Sequence, residues 1–259
     1  MLLNRNRRRP RRRKYCPWLM PVLALVLAGL VTVGLLSLVL PPEGAGDTSG
    51  GGGKPAFLMT AAEKRVERLR EAAIPRWISR EYIPTAVTAR SGDSLADYTG
   101  VVIHYVGNPG TSAAGNRNYF ATPGTEVCSH FVVGLEGEIL QCLPLWERSV
   151  ASNSRNRDTV YVEVCHPDDT GKFTEETYAA LVKLTAWLCT VGELDAGQVI
   201  RHYDVTGKEC PRYFVENEAA WTQFLTDVET ASAEEYAEKR IRQTAPKSRL
   251  PEILSFVMP

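Results

Sequence analysis

The residue types best suited to chemistry lie between residues 201 and 214, in the sequence RHYDVTGKECPRYF. This short segment contains His202 and Cys210, and a further histidine, His104, stands at the end of the apolar run VVIHYV. A catalytic zinc ion needs three protein ligands and an open position for water, and two imidazoles with one thiolate meet that need. Both histidines stand at the ends of predicted strands, where side chains can converge at a sheet edge. No compact His-x-x-x-His signature is present, so ordinary buried histidines and a buried cysteine remain the alternative.

Two charged residues could assist a metal at such a site. Lys208 stands two residues before Cys210, where its charge could stabilise a developing oxyanion, although a solvated loop lysine is the simpler explanation. Glu163 interrupts the apolar strand sequence VYVEVC and faces the same side as Tyr161 and Cys165. Burial would raise the pKa of this carboxyl group, which suits a general base. A glutamate paired with an arginine would explain the same pattern equally well.

The distribution of charge predicts a membrane-anchored protein. The chain has 259 residues with 30 basic and 30 acidic side chains, but eight of the basic ones precede residue 15, which leaves 22 basic residues for the rest. Residues 18–40 carry no charge and would form a helix longer than the roughly 30 Å hydrocarbon core of a bilayer. Residues 1–17 are therefore expected to be a cytoplasmic basic tail, and residues 18–40 a transmembrane signal anchor. The same placement argues against a nucleic-acid partner.

The anchor predicts a single-pass protein of the cell membrane, with its N-terminus in the cytoplasm and its catalytic domain outside. The apolar cores of signal peptides are usually about 7 to 15 residues long, and the longer span at residues 18–40 therefore favours an uncleaved anchor. Cleavage followed by secretion is the less favoured alternative. The sequence leaves the oligomeric state open.

Beyond the anchor, composition divides the chain into four parts. These are a Gly-rich linker (41–56), an N-terminal extension packing on the domain (57–97), the main domain (98–230) and a charged C-terminal tail (231–259). The extension is expected to hold a short amphipathic helix around Val66 and Leu69, followed by a loop-like stretch. The tail is expected to be partly helical.

Within residues 98–230, strand patterns alternate with helical ones. The sequences VVIHYV, TVYVEVC and QVIRHYDV predict buried strands, and SHFVVGLEGEILQCLPL predicts a hairpin with a Glu-Gly turn. Helical spacing follows Thr174 and returns after Val215. Together they predict a single α/β domain with a central mixed β-sheet flanked by helices. Four further cysteines are predicted to be buried thiols, namely Cys128, Cys142, Cys165 and Cys189.

Four segments, VVIHYVGNPGT, SHFVVGLEGEILQCLPL, NRDTVYVEVCHP and IRHYDVTGKECP, occur in the order seen in zinc-dependent N-acetylmuramoyl-L-alanine amidases of type 2. The resemblance covers roughly residues 75–228 and extends to phage-type amidases and peptidoglycan recognition proteins, which share the fold. It implies that Zn²⁺ binds three of the residues above, namely His104, His202 and Cys210. It also implies that Lys208 aids the transition state and that Glu163 corresponds to the acidic residue of members that use a carboxylate base.

The resemblance implies a peptidoglycan hydrolase that cleaves the amide bond between N-acetylmuramic acid and L-alanine by zinc-activated water. The alternative is a non-catalytic muropeptide-binding module of the same fold. Such modules typically lack the cysteine ligand, so Cys210 favours the enzyme.

The chain departs from the family pattern at three places. Relatives often carry a catalytic tyrosine just before the histidine of the hairpin strand, but here Ser129 precedes His130. Catalysis by a tyrosine is therefore not expected, and Glu163 becomes the stronger candidate for the general base. The family sequence Trp-His-Ala-Gly reads SVAS at residues 149–152, and Cys-Pro-Gly reads Cys-Pro-Arg at residues 210–212. We interpret His130 as structural and expect His166 to be exposed in a loop.

Overall fold

A computed structural model describes residues 54–85 and 89–244, with side chains described as far as residue 240. The basic tail, the predicted anchor and most of the glycine-rich linker lie outside the described residues, and so does the end of the C-terminal tail, 245–259. The anchor at residues 18–40 therefore stays a prediction. In the described part of the chain, no helix is both long and apolar enough to cross a bilayer.

The centre of the fold is a six-stranded mixed sheet. Its strands are β1 (Ile78–Arg80), β2 (Gly100–Tyr105), β3 (Phe131–Val133), β4 (Ile139–Gln141), β5 (Thr159–Val164) and β6 (Val199–Arg201). In space they run in the order β1-β4-β3-β5-β2-β6, and every neighbouring pair is parallel except the antiparallel pair β3–β4. The β3–β4 turn passes through Gly137 at a φ of 81°, a conformation that glycine adopts without a Cβ clash. The predicted mixed sheet and its hairpin are confirmed.

Within the described ranges, six α-helices accompany the sheet. They are α1 (Ala61–Glu71), α2 (Ala113–Phe120), α3 (Glu175–Gly192), α4 (His202–Thr206), α5 (Arg212–Glu216) and α6 (Glu218–Thr244). The Thr60 hydroxyl accepts from the Glu63 amide while Glu63 accepts from the Thr60 amide, which satisfies two free donors at the start of α1. Thr174 caps α3 in the same position. The closing helix α6 is longer than the sequence indicated, since it continues unbroken through the boundary expected at residue 230.

The two faces of the sheet are covered unequally. Side chains alternate along a strand, so Ile103 and Val162 point into the larger core, where they meet α3 residues such as Leu184. The opposite face holds a smaller cluster, in which Val132 packs with Phe120 of α2. The short helix α2 covers part of this second face, called the half-covered face below, and an open cleft lies beside α2.

The structure corrects several sequence expectations. The loop-like stretch before residue 98 contains β1, a three-residue edge strand whose last two residues are exposed, so it has too little apolar alternation to be recognised. The strand predicted as QVIRHYDV ends at Arg201, and His202 begins a helix. His166 is buried, because its ring stacks on Tyr105 at 4.9 Å and its nitrogens contact two carbonyl oxygens. The expectation that His166 is exposed is therefore wrong.

Two other expectations agree with the structure. His130 is fully buried, and its ring contacts the carbonyl oxygen of Glu147 and accepts from the amide of Tyr161, which is a structural role. The cysteines predicted as buried thiols, Cys128, Cys142, Cys165 and Cys189, are buried and free.

Candidate metal centre and its cleft

His104 lies next to the end of β2, on the half-covered face of the sheet. Its side chain is buried, and its ring lies edge-on to that of Tyr161 with 5.3 Å between centroids. The Nε2 atom is 3.0 Å from the hydroxyl of Ser152, which leaves Nδ1 to face the cleft. Burial lowers the pKa of His104 well below its ordinary value, and the nearby His202 and Lys208 add to the shift. The ring is therefore neutral, as a metal ligand must be.

His202 directly follows strand β6, and its ring lies beside that of His104. Arg201 forms ion pairs with Asp204 and Glu218 that hold the turn between β6 and α4. This turn directs the His202 ring toward His104, with 4.3 Å between the ring centroids. Burial also lowers the pKa of His202, with a further contribution from Lys208.

Cys210 is brought to the cluster by a reversal of the chain after α4. Gly207 ends that helix at a φ of 76°, which favours glycine, and the chain then turns back. The amide of Tyr203 donates to the carbonyl oxygen of Cys210 at 2.9 Å, and the amide of Tyr105 donates to its sulfur at 3.5 Å. Burial raises the pKa of the Cys210 thiol to about 12, with Glu163 adding to the effect. The next peptide bond, to Pro211, is cis.

The structure therefore places the three residues proposed from sequence, His104, His202 and Cys210, in one cluster. One potential ligand atom from each lies within 4.8 Å of the others. The Nδ1 atom of His202 is buried without a hydrogen-bond partner, and a cation would satisfy it. Two imidazole nitrogens and one sulfur are a donor set that suits zinc, so the residues present fit this metal.

Glu163 and Lys208 adjoin this cluster. Glu163 Oε1 lies 3.7 Å from Nδ1 of His104. Burial raises the pKa of the Glu163 carboxyl group to about 8, and the positive charge of Lys208 acts in the opposite direction. Lys208 is exposed and lines the same cleft. The structure thus brings together all five residues singled out from the sequence.

The cleft itself has a volume of about 480 Å³. Its polar floor holds the metal-ligand cluster, and one wall comes from α2 and from the following loop at Val127. Tyr119 and Val127 are unusually exposed for apolar side chains, at 58% and 41%. The lining residues are His104, Tyr105, Val106, Gly107, Asn108, Thr111, Gly115, Asn116, Tyr119, Phe120, Val127, Ala151, Glu163, His202, Lys208 and Cys210.

Sequence reasoning missed Ser152 and Asn156 near the cluster. Ser152 contacts His104 although the two residues are 48 positions apart in the chain. The side-chain oxygen of Asn156 accepts from the amides of Ala151 and Ser152 and from the hydroxyl of Tyr161. No local sequence pattern indicated either contact. Ser129 is fully buried and donates to carbonyl oxygens of the sheet, away from the cleft.

Comparison with known proteins finds similar sequences and similar folds. The sequence profile of the family "N-acetylmuramoyl-L-alanine amidase" matches residues 94–213, a narrower range than the resemblance suggested. N-acetylmuramoyl-L-alanine amidase CwlL of Bacillus licheniformis is 27% identical over 189 residues, which are 66% of this chain and 52% of that protein. A probable N-acetylmuramoyl-L-alanine amidase of the same species is 32% identical over 159 residues, which are 54% of this chain and 44% of that protein. The chain thus spans about half the length of these curated relatives.

Solved structures agree with the sequence comparison. The catalytic domain of XlyA is 27% identical, with a TM-score of 0.52, and the match covers 58% of this chain and 98% of that one. PlyL, at 20% identity and a TM-score of 0.53, shows the shared fold alone. Over residues 94–213 the chain is therefore similar to the type 2 N-acetylmuramoyl-L-alanine amidase family.

Proposed function

We propose that this protein is a zinc-dependent peptidoglycan hydrolase that cleaves the amide bond between N-acetylmuramic acid and L-alanine. The observation that carries the proposal is the convergence of His104, His202 and Cys210 beside Glu163 in an open cleft. The names of two relatives from Bacillus licheniformis, the N-acetylmuramoyl-L-alanine amidase CwlL and a probable N-acetylmuramoyl-L-alanine amidase, support the same reaction.

Zinc would be held by His104, His202 and Cys210, where it would polarise the substrate carbonyl group and lower the pKa of water toward about 7. The surrounding protein holds the proposed ligands in a form that can bind a metal. The two imidazoles are kept neutral by burial, and the amide of Tyr105 donates to the sulfur of Cys210.

Glu163 acts as the general base in this proposal. Its carboxylate borders the ligand cluster and accepts the proton of the attacking water, and it can return that proton to the leaving amine of L-alanine. A carboxylate in a buried position is a stronger base than one in water, because burial raises its pKa.

Lys208 stabilises the negative charge that develops on the carbonyl oxygen. Its side chain is exposed, and it lines the same cleft as Cys210. A cation at this position interacts more strongly with an oxyanion than with a neutral carbonyl, which is the requirement for lowering the barrier.

The proposal is tested by incubating the purified full-length protein with peptidoglycan and labelling new amino termini. Release of L-alanine amino termini, abolished by a zinc chelator and restored by zinc, is the expected result. Muropeptide that is bound but left intact would contradict hydrolysis and support the binding-module alternative. New reducing sugar ends in place of amino termini would contradict the bond assignment.

We also propose that the hydrolase faces the cell wall from the outer side of the membrane. The support is the charge-free span at residues 18–40 and the basic residues before it. Peptidoglycan lies outside the cytoplasmic membrane, so this orientation puts the cleft on the side of its substrate.

A further inference from the structure

We propose that Ser152 is a positioning residue that fixes the tautomer and ring orientation of His104 so that its Nδ1 atom is free to bind a metal. This inference rests on the proposed zinc site and extends it to a residue outside the ligand set. The carrying observation is the 3.0 Å contact between the Ser152 hydroxyl and Nε2 of His104.

The chemistry of a histidine ligand explains why this contact matters. A neutral imidazole carries one proton, and the nitrogen that binds a metal must be the one without it. A serine hydroxyl can donate as well as accept, and the Tyr161 hydroxyl oxygen is a hydrogen-bond partner that can take the Ser152 proton. The Ser152 oxygen then accepts from Nε2–H of His104, and the lone pair is left on Nδ1, which is on the side of Glu163. Partners of this kind around metal-binding histidines commonly contribute a factor of about 10 to 100 to metal affinity.

Ser152 is itself held in place. It is fully buried, and its amide donates to the side-chain oxygen of Asn156 at 2.9 Å. The same oxygen accepts from the hydroxyl of Tyr161, whose ring packs edge-on against His104. Asn156 therefore fixes two groups that contact the His104 ring, one through hydrogen bonding and one through packing.

A second buried serine close to Ser152 in the chain provides a control for the contact with His104. The neighbouring Ser149 is also fully buried, but its hydroxyl has no hydrogen-bond partner. Ser149 is thus a matched control, because it is the same residue type, three positions away and equally buried.

Zinc affinity of the full-length protein gives the first test, measured by competition with a chromogenic chelator. Ser152→Ala is expected to weaken zinc binding by about 10- to 100-fold, whereas Ser149→Ala should leave it unchanged. Asn156→Ala should weaken it in the same direction, and Asn156→Asp, which keeps an acceptor oxygen, should restore it. Unchanged affinity in Ser152→Ala would overturn the inference, whatever the effect of Asn156→Ala.

The tautomer of His104 gives a second readout that a merely structural serine would not affect. The protein has four histidines, so ¹⁵N-labelled imidazole shifts of the zinc-free protein can be assigned. We expect the Nε2–H form in the wild type and a loss of that preference in Ser152→Ala. An Nδ1–H form in the wild type would overturn the inference. If the wild type binds no zinc at all, both the proposed function and this inference fail. If the wild type binds zinc and Ser152→Ala binds it equally well, only this inference fails.

Discussion

His104 and Glu163 occupy directly paired positions on the parallel strands β2 and β5, with 3.7 Å between Nδ1 and Oε1. Because side chains alternate along a strand, this register places both on the half-covered face of the sheet. Their neighbours Ile103 and Val162 are also paired, and both point into the closed core. A shift of one residue would reverse these faces, so core packing fixes the relationship between a metal ligand and the proposed base.

The first prediction concerns Glu163. Glu163→Gln keeps the shape of the side chain but removes its basicity, so the hydrolysis rate should fall by about 10²- to 10⁴-fold. Zinc content should stay near that of the wild type, since Glu163 is not among the proposed ligands. The rate of amino-terminus release and the zinc content, both measured on the same preparation, check this.

The control for this change is Glu136→Gln, because Glu136 is an exposed glutamate in the β3–β4 turn outside the cleft. It should retain full activity. A Glu163→Gln protein with a wild-type rate would remove Glu163 from the mechanism.

A second prediction separates Cys210 from the other buried cysteines. Cys210→Ala removes one of three proposed ligands, so zinc should dissociate during dialysis, and hydrolysis should be lost. Cys189→Ala, in α3 and outside the ligand cluster, should keep its zinc although it removes a buried thiol of similar size. Metal analysis of the two dialysed proteins makes the comparison, and equal zinc contents would contradict the ligand assignment.

Zinc should also stabilise the fold of the wild type. A ligand at 100 times its Kd stabilises the folded state by about 2.7 kcal/mol, provided that it does not bind the unfolded chain. Removing zinc with a chelator should therefore lower the Tm of the wild type, and should have little effect on Cys210→Ala. A Tm of the wild type that is insensitive to both chelator and added zinc would argue against a resident metal.

The predicted anchor can be tested by cell fractionation. The full-length protein should remain with the membranes after alkaline extraction, because residues 18–40 would be buried in the hydrocarbon core. A version that lacks residues 1–40 should move to the soluble fraction while keeping its hydrolytic activity. Recovery of the full-length protein in the soluble fraction, or a mature N-terminus near residue 45, would contradict an uncleaved anchor.

The sequence was most informative where strands were long and fully buried. The six-residue strands β2 and β5 have continuous β-branched patterns, which indicated both the sheet and the positions of His104 and Glu163. By contrast, β1 has three residues and α2 has a polar sequence, AAGNRNYF, so neither has a clear periodic signal. These elements form through contacts with distant parts of the chain, as when β1 pairs with β4.

The same limit explains what was missed around the candidate site. The contact of Ser152 with His104 joins a loop to a strand 48 residues away, and no local pattern encodes it. The burial of His166 likewise depends on the carbonyl oxygen of Val106, which is 60 residues away. The sequence motifs and the family resemblance therefore predicted the ligand set. The residues that position those ligands could be identified only from the folded structure.

The last prediction concerns acid stability and His130. Burial lowers the pKa of His130 to about 4, and its hydrogen bond to the carbonyl group of Glu147 offsets only part of this. Since the ordinary pKa of histidine is about 6.5, the unfolded chain takes up a proton between these values that the folded chain does not. The stability that neutral His130 supports is therefore complete above about pH 6.5 and is lost as the pH falls toward 4, by about 3 kcal/mol in total.

His130→Gln keeps a side-chain donor but cannot titrate, so it isolates this effect. The variant should be less stable than the wild type at pH 7, and the difference in free energy of unfolding should shrink steadily between pH 6.5 and pH 4. Urea denaturation of the zinc-free proteins across this range measures the difference, and working without zinc removes any contribution from metal release. His104 and His202 titrate in both proteins and cancel in the comparison. Parallel stability curves would show that His130 does not remain neutral in the folded core.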